Sequence, residues 1–324
     1  MKLKLKTPKF WKTKNLISLI LWPLSILYFI GFIIDKYTSR KVQANIFTIG
    51  VGNLNAGGSG KTPVCMWIAR ILDKYKLNFA VITKGYGGKL KGPLIVSDSM
   101  THSQVGDESL MYALSNFPTI ASKNKAKGAL YAKMHGIKAV IVDDALQSHK
   151  LTIDFKVLVI DSDYGYGNGF MLPAGPMRQP VLSTYDEANA IIVIGNGCFS
   201  IPSEYAHKVY EASIVPVKPK QNKYIAFCGI GIPEKFLKSL NSFELEIVEF
   251  IEFPDHYYYE LNEIDEILLK ARSSGSYVIT TYKDWVRLNK KHQRAIEYLN
   301  VELKLYNEKE LVKKIYAAID YANS

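Results

Sequence analysis

Residues 50–64 read GVGNLNAGGSGKTPV. Read back from Gly60-Lys61-Thr62, the strict phosphate-loop pattern G-x-x-x-x-G-K-[ST] requires glycine at position 55, where this chain has Asn55. Asparagine follows glycine as the residue that best tolerates left-handed backbone, so a tight turn survives the exchange. The plainer reading is a glycine-rich turn that binds nothing, and the flanks argue against it. A β-branched run, IFTIGV (46–51), precedes the loop, and an apolar helical pattern covers residues 63–72. Strand, glycine loop and helix in that order aim consecutive N–H groups at an anion at the head of a helix. Pro63 is no obstacle, because the first helical turn has no use for its N–H.

In this reading Asn55, Ala56, Gly57, Gly58, Ser59 and Gly60 form the cradle, with the three glycines letting backbone approach the phosphates. Lys61 reaches the β- and γ-phosphates and Thr62 offers its hydroxyl to Mg²⁺, so ATP and Mg²⁺ are the expected cofactors. A deviant loop of the MinD type would need lysine where Ala56 stands, which argues against that class.

A magnesium site also needs carboxylates. Asp143 and Asp144 end the apolar run AVIV, the place of a Walker B acid, although an aspartate pair there also serves as a helix cap. A base for an attacking hydroxyl has two candidate loops, Gly106-Asp107-Glu108 and Phe253-Pro254-Asp255-His256. Spacing alone leaves both open.

The chain has 324 residues, 48% hydrophobic and 22% charged, which suits two domains or one large α/β domain. Cys65, Cys198 and Cys228 lie far apart with no metal-ligand spacing, so neither disulfides nor zinc are expected. The net charge of +11 is uneven, because residues 1–15 hold six lysines and no acid. Residues 16–34, LISLILWPLSILYFIGFII, carry no charge and approach the ~20 residues that cross a bilayer. No cleavage site follows, so the segment is expected to stay. A true crossing behind a lysine-rich terminus would export the nucleotide loop from the cytoplasm. Lys36, Arg40 and Lys41 follow the run and Pro23 interrupts it, favouring a bent interfacial anchor on anionic lipid. No nucleic-acid partner is expected, since the lysine cluster is joined to an apolar segment rather than to stacking aromatics.

FAVIT (79–83), KAVIVDD (138–144), FKVLVID (155–161) and NAIIVIG (189–195) read as parallel strands, with a helix over 123–135. From residue 223, YIAFCGI, LEIVEFIEF and YVITTY read as strands of a second unit. PEKFLKSL and NEIDEILLKARSS read as its helices, and the chain closes with VELKLYN and a helix from Glu308. The expected architecture is α/β: a P-loop NTPase-type core, a second, smaller α/β domain and an N-terminal membrane-associated helix. The divisions are arm and anchor at 1–34, core at 35–180 and second unit at 181–324. The join falls in the glycine- and proline-rich stretch 164–180, or near 216–221.

Several segments in order resemble the tetraacyldisaccharide 4'-kinases of lipid A biosynthesis along nearly the whole chain. They are VGNLNAGGSGKTP, TKGYGG (83–88), GDES (106–109), DDALQ (143–147), NGFMLPAGPMRQP (168–180), AFCGIGIPEKF (226–236), FPDHYYY (253–259) and TTYKD (280–284). That family commonly has threonine where Asn55 stands. The resemblance implies transfer of the γ-phosphate of ATP to the 4'-hydroxyl of a tetraacylated disaccharide 1-phosphate, giving lipid IVA at the cytoplasmic face of a Gram-negative inner membrane. It also implies a cleft between two domains, with Asp107 and His256 as a catalytic pair and Asp255 beside the histidine. Glu108, Asp143 and Asp144 are then the candidates for Mg²⁺ or its waters, beside Thr62. Arg178, Gln147 and Lys84 are candidates for substrate. Lys84, Ala145, Ser148, Gln179 and Tyr282 depart from the family pattern, and His149 stands one place after its usual histidine. The alternative from another class is a membrane-associated P-loop NTPase switch without a sugar-lipid acceptor.

Overall fold

A computed structural model describes residues 8–57, 59–197 and 199–323. Gly58 of the expected cradle, Cys198 and the first three arm lysines lie outside the described residues. The strands are β1 (Phe47–Gly52), β2 (Phe79–Thr83), β3 (Leu94–Ile95), β4 (Thr119–Ala121), β5 (Ala139–Asp143), β6 (Phe155–Asp161) and β7 (Ala190–Ile194). They continue with β8 (Val209–Pro216), β9 (Lys223–Cys228), β10 (Glu246–Glu252), β11 (Tyr277–Thr281), β12 (Glu297–Leu299) and β13 (Val301–Leu305). The α-helices are α1 (Leu16–Thr38), α2 (Lys61–Lys74), α3 (His102–Val105), α4 (Asp107–Leu114), α5 (Lys125–Met134) and α6 (Val181–Glu187). After them come α7 (Pro233–Asn241), α8 (Leu261–Ser273), α9 (Tyr282–Trp285), α10 (Lys290–Ala295) and α11 (Glu308–Asn323).

Nine strands form the larger sheet in the order β13-β8-β7-β6-β1-β5-β2-β4-β3, parallel except at its two antiparallel edges. Alternation along β5 shows how it is packed. Ala139 and Ile141 join the face covered by α2 and α11, whereas Val140 and Val142 join the face covered by α5. Both faces are dry, which is why these runs read as continuous apolar sequence. Val51 of β1 lies opposite Asp143 of β5, so the glycine loop and the acid pair leave the sheet side by side at the carboxyl ends of neighbouring strands.

The smaller sheet, β10-β9-β11-β12, is all parallel. It packs against α7 on one side and α8 on the other. Two sequence expectations change here. The strand VELKL of 301–305 pairs antiparallel with β8, so it returns to the larger sheet rather than closing the second unit. Because β7 and β8 belong to that larger sheet too, the division placed at 180–181 falls inside it. A five-residue alternating run tells which side chains are buried, not which sheet they join.

The apolar segment forms one helix, α1, which continues through Pro23 to Thr38 instead of breaking there. Contacts beyond the proline hold it against the rest of the protein. Ser25 Oγ donates to Met171 O at 2.8 Å, Tyr28 OH to Arg178 O at 3.2 Å, and Lys36 pairs with Glu187 at 2.6 Å. Ser18, Ser25, Tyr28, Phe32 and Lys36 share one helix face by spacing. The remaining face exposes Leu16, Ile17, Leu19, Ile20, Leu24, Leu27 and Ile34. By length and composition α1 is able to cross a membrane.

Candidate active site

The glycine loop runs from the end of β1 into α2. Gly60 caps α2 with φ 80° and ψ 17°, a left-handed conformation open to glycine, and a Cβ there would meet Ile194 Cδ1 at 2.7 Å. The loop is stitched to the proline-rich segment after β6. Ala56 N donates to Pro176 O at 2.8 Å, Arg178 N to Leu54 O at 2.8 Å, and Asn55 Nδ2 to Gly165 O at 2.6 Å. Asn55 therefore does more than replace a turn glycine, since its amide ties the loop to the 164–166 turn.

Lys61 Nζ donates to Asn53 Oδ1 at 2.9 Å and lies 3.5 Å from Asp144 Oδ1. Arg178 Nη1 reaches both oxygens of Asp144, at 3.0 and 3.2 Å, and Gln147 Oε1 at 3.1 Å. Gln147 Nε2 in turn donates to Asn53 O at 2.9 Å and to Gln179 Oε1 at 3.2 Å. Arg178, Gln147, Lys61 and Asp144 thus form one network. Burial works against ionisation of Asp144, but Lys61, Arg178 and Lys125 outweigh it and hold the carboxyl below its ordinary value. Lys125, which sequence reasoning missed, donates its Nζ to Asp144 O. Lys84 is exposed beyond β2, and among the described residues no hydrogen bond or ion pair joins it to this network.

Asp143 is buried and accepts from Tyr112 OH at 2.8 Å through Oδ2. Its Oδ1 and the hydroxyl of Ser59, within the glycine loop, are buried with no partner among the described residues. Glu108 is pushed up to about 7, first by burial and then by Asp143, against Lys283 and Lys61. Thr62, Asp143, Asp144 and Glu108 supply oxygen donors suited to a hard cation. Among the described residues no three acids and histidines gather tightly enough to enclose a metal.

Asp107 opens α4, and its carboxylate meets groups from the second sheet. His256 Nδ1 lies 3.1 Å from Asp107 Oδ2, and Arg287 donates to the same oxygen from Nε at 2.9 Å and Nη2 at 2.8 Å. His102 Nδ1 stands 3.6 Å from the other oxygen, Oδ1. Burial opposes ionisation of Asp107, yet His102, His256 and the Arg287 guanidinium together hold it far below the usual carboxylate range. His256 Nε2 faces Lys283 Nζ at 3.1 Å. With Nδ1–H donating to Asp107, Nε2 accepts from Lys283, while Arg287 Nη2 also stands 3.2 Å from Nδ1 and gives its proton to Asp107 instead. Asp255 is exposed and approaches only the far side of this ring, at 3.9 Å from Nε2.

A close approach of two loops aims Asp107. Gly106 has φ 86° and ψ 155°, a region almost restricted to glycine, and a Cβ there would meet Tyr86 O at 2.4 Å. The TKGYGG stretch therefore shapes the Asp107 turn. Gly106→Ala is expected to lower unfolding free energy by about 1–3 kcal/mol, read by urea denaturation, and to lower turnover with it.

Other departures from the family pattern have local explanations. Gln179 is buried and donates to Thr184 Oγ1 at 2.7 Å, and Tyr282 OH contacts Met111 O at 2.9 Å across the two units. His149 turns toward α1, with its ring 5.3 Å from that of Phe32. Sequence reasoning also missed Asn53, Lys283 and Arg287. Asn53, Lys283 and the neighbour of Arg287, Asp284, lay within motifs already noticed, but nothing in one sequence marked them as partners of Lys61, His256 and Asp107.

Comparisons with known proteins give the chain a family. The family described as "Tetraacyldisaccharide-1-P 4'-kinase" matches residues 17–320. The tetraacyldisaccharide 4'-kinase of Rickettsia bellii is 36% identical over 322 residues, covering 97% of this chain and 99% of that protein. The enzyme of the same name from Rickettsia akari is 34% identical over 322 residues, covering 97% and 98%. Among solved structures, LpxK from Aquifex aeolicus in complex with ATP superposes with a TM-score of 0.74 at 27% identity, covering 94% of this chain and all of that one. With its nucleotide loop, its paired acids and its full-length likeness to these kinases, the chain belongs to the tetraacyldisaccharide 1-phosphate 4'-kinase family.

Proposed function

We propose that the chain carries out the family reaction in the cleft between its two sheets, moving the γ-phosphate of ATP to the 4'-hydroxyl of tetraacyldisaccharide 1-phosphate. The product is lipid IVA, on the route to lipid A. The observation that carries the reading is the meeting of Asp107 and His256, 149 residues apart in sequence, next to the Lys61 network. Glu108 links the two halves, since its charge responds to Asp143 and Lys61 on the nucleotide side and to Lys283 on the other. A switch that hydrolysed nucleotide could use the same carboxylate on water, so what favours the kinase over it is that the relatives are named as kinases of a tetraacyldisaccharide.

Phosphoryl transfer asks mainly for positioning and charge dispersal. The loop N–H groups and Lys61 hold the phosphates. Mg²⁺, bound with ATP, supplies charge neutralisation, with Thr62, Asp143, Asp144 and Glu108 as the side chains that would hold it or its waters. Asp107 offers Oδ1 to the acceptor hydroxyl, because Oδ2 is already occupied by Arg287 and His256. Its depressed basicity is no contradiction. In a loose transition state the proton leaves late, so the carboxylate must first orient the O–H and only then take its proton. Arg178 and Gln147, held together beside Asp144, are the candidates for gripping the substrate, with the exposed Lys84 standing apart from their network.

The membrane reading follows from α1. A helix bound along one face by Ser25, Tyr28 and Lys36 lies against its own protein, and its other face is free for acyl chains. This supports a position on the cytoplasmic surface of the inner membrane, where ATP and an acylated substrate meet. Leu19→Glu together with Leu27→Glu is expected to reduce sedimentation with anionic lipid vesicles at least about tenfold, since a charge costs ~2.5–3.5 kcal/mol in apolar surroundings. Turnover in detergent micelles should change little.

The test of the reaction is transfer of label from γ-labelled ATP to tetraacyldisaccharide 1-phosphate in micelles. Acceptor-dependent labelled lipid supports the kinase. ATP consumption at one rate with and without acceptor, with no labelled lipid, replaces it with the switch.

A further inference from the structure

Arg287 spends its donors in an unusual way. A guanidinium facing a carboxylate usually bridges both oxygens as a fork. Here Nε and Nη2 both go to Asp107 Oδ2, at 2.9 and 2.8 Å. The third nitrogen, Nη1, turns away to Asp284 Oδ1 at 2.7 Å and Gly229 O at 3.2 Å. Asp284 is itself fully buried. Its Oδ2 accepts from Gly229 N at 3.0 Å and from Thr281 Oγ1 at 2.6 Å. The arginine is therefore fixed at its far end by Asp284 of α9 and the turn after β9, and has little freedom to slide toward Oδ1.

We propose that Arg287, anchored by Asp284, is a positioning residue for phosphoryl transfer: it engages one oxygen of Asp107 so that the other is presented to the acceptor hydroxyl. Three observations converge on this. Both N–H groups go to one oxygen. The anchor is buried and belongs to the second unit, while Asp107 belongs to the first. His256 Nδ1 approaches the same Oδ2 at 3.1 Å, so two residues of the second unit take one oxygen, while its twin has His102 Nδ1 at the longer distance of 3.6 Å and keeps room for a hydroxyl. A lysine at 287 would keep the charge but lose the planar fork that sets which oxygen is engaged.

The inference rests on the kinase reading, and the experiment separates the two. Transfer of label from γ-labelled ATP to tetraacyldisaccharide 1-phosphate is measured for the wild type, Arg287→Lys, Asp107→Asn and the double variant, with kcat and KM for both substrates. Arg287→Lys is expected to lower kcat by about tenfold or more, with each KM within about twofold. In the Asp107→Asn background the same change should alter the residual rate less than about twofold, because the oxygen it oriented is gone. Tyr282→Phe, which removes a hydroxyl between the same two units without touching Asp107, should leave kcat near the wild type. Equal losses from Arg287→Lys in both backgrounds, a loss confined to KM, or an equal loss in Tyr282→Phe would each overturn the inference. If Arg287→Lys does not melt cooperatively, Asp284→Asn takes its place in the same cycle and is judged by the same criteria. No labelled lipid from the wild type would instead sink the kinase reading itself.

Discussion

Asp107→Asn is expected to lower the rate of phosphate transfer about 10²–10⁴-fold, the usual worth of a positioned acid–base group. The amide keeps the shape and still fits between His256 and Arg287, but it cannot take the proton of the acceptor hydroxyl. Binding of ATP should persist, since the nucleotide loop and Lys61 do not contact Asp107. Fluorescent ATP-analogue titration beside the labelled-transfer assay separates the two. Retention of more than about a tenth of the wild-type rate, with the protein folded, would move the base elsewhere, and His256 would be examined next. Arg287 loses one of its two carboxylate partners in this variant but keeps Asp284, so a thermal melt belongs with the kinetics.

Lys61→Ala is the second large effect, expected at about 10²–10³-fold in turnover with weaker nucleotide binding, as for loss of one preorganised group at developing charge. The reasoning is local. Lys61 lies between Asn53 and Asp144, at the first position of α2, where it faces whatever anion the loop holds. Asp144 would retain Arg178 and Lys125 as partners, so the fold should survive. A variant that still transferred label at near the wild-type rate would remove the glycine loop from the mechanism.

The nucleotide half of the site was legible because it is local. Strand, glycine loop and helix are contiguous, and a β-branched run ended by two aspartates needs only its own periodicity to be recognised. The proposed catalytic pair was not legible from physics alone. Asp107 and His256 sat in two loops that spacing left open, and only the family resemblance joined them. The reach of Arg287 across the cleft had no sequence signal at all, since one arginine after a short helix reads as surface. Gly106 is an intermediate case: a glycine before an acid suggests a turn, but the need for its positive φ comes from the carbonyl of Tyr86, twenty residues away in another loop.

By itself, then, the sequence determined the α/β class, the phosphate loop, the apolar helix and most of the strands, though not β3, β4, β8 or β12, because each depends on side-chain periodicity and backbone preference within about ten residues. The tertiary structure decided which sheet claims 301–305, that α1 runs unbroken through Pro23 along its own protein, and which oxygen of Asp107 its cationic partners occupy. Those outcomes rest on contacts between segments far apart in the chain, and side-chain patterns constrain which faces are buried without naming the partner that buries them.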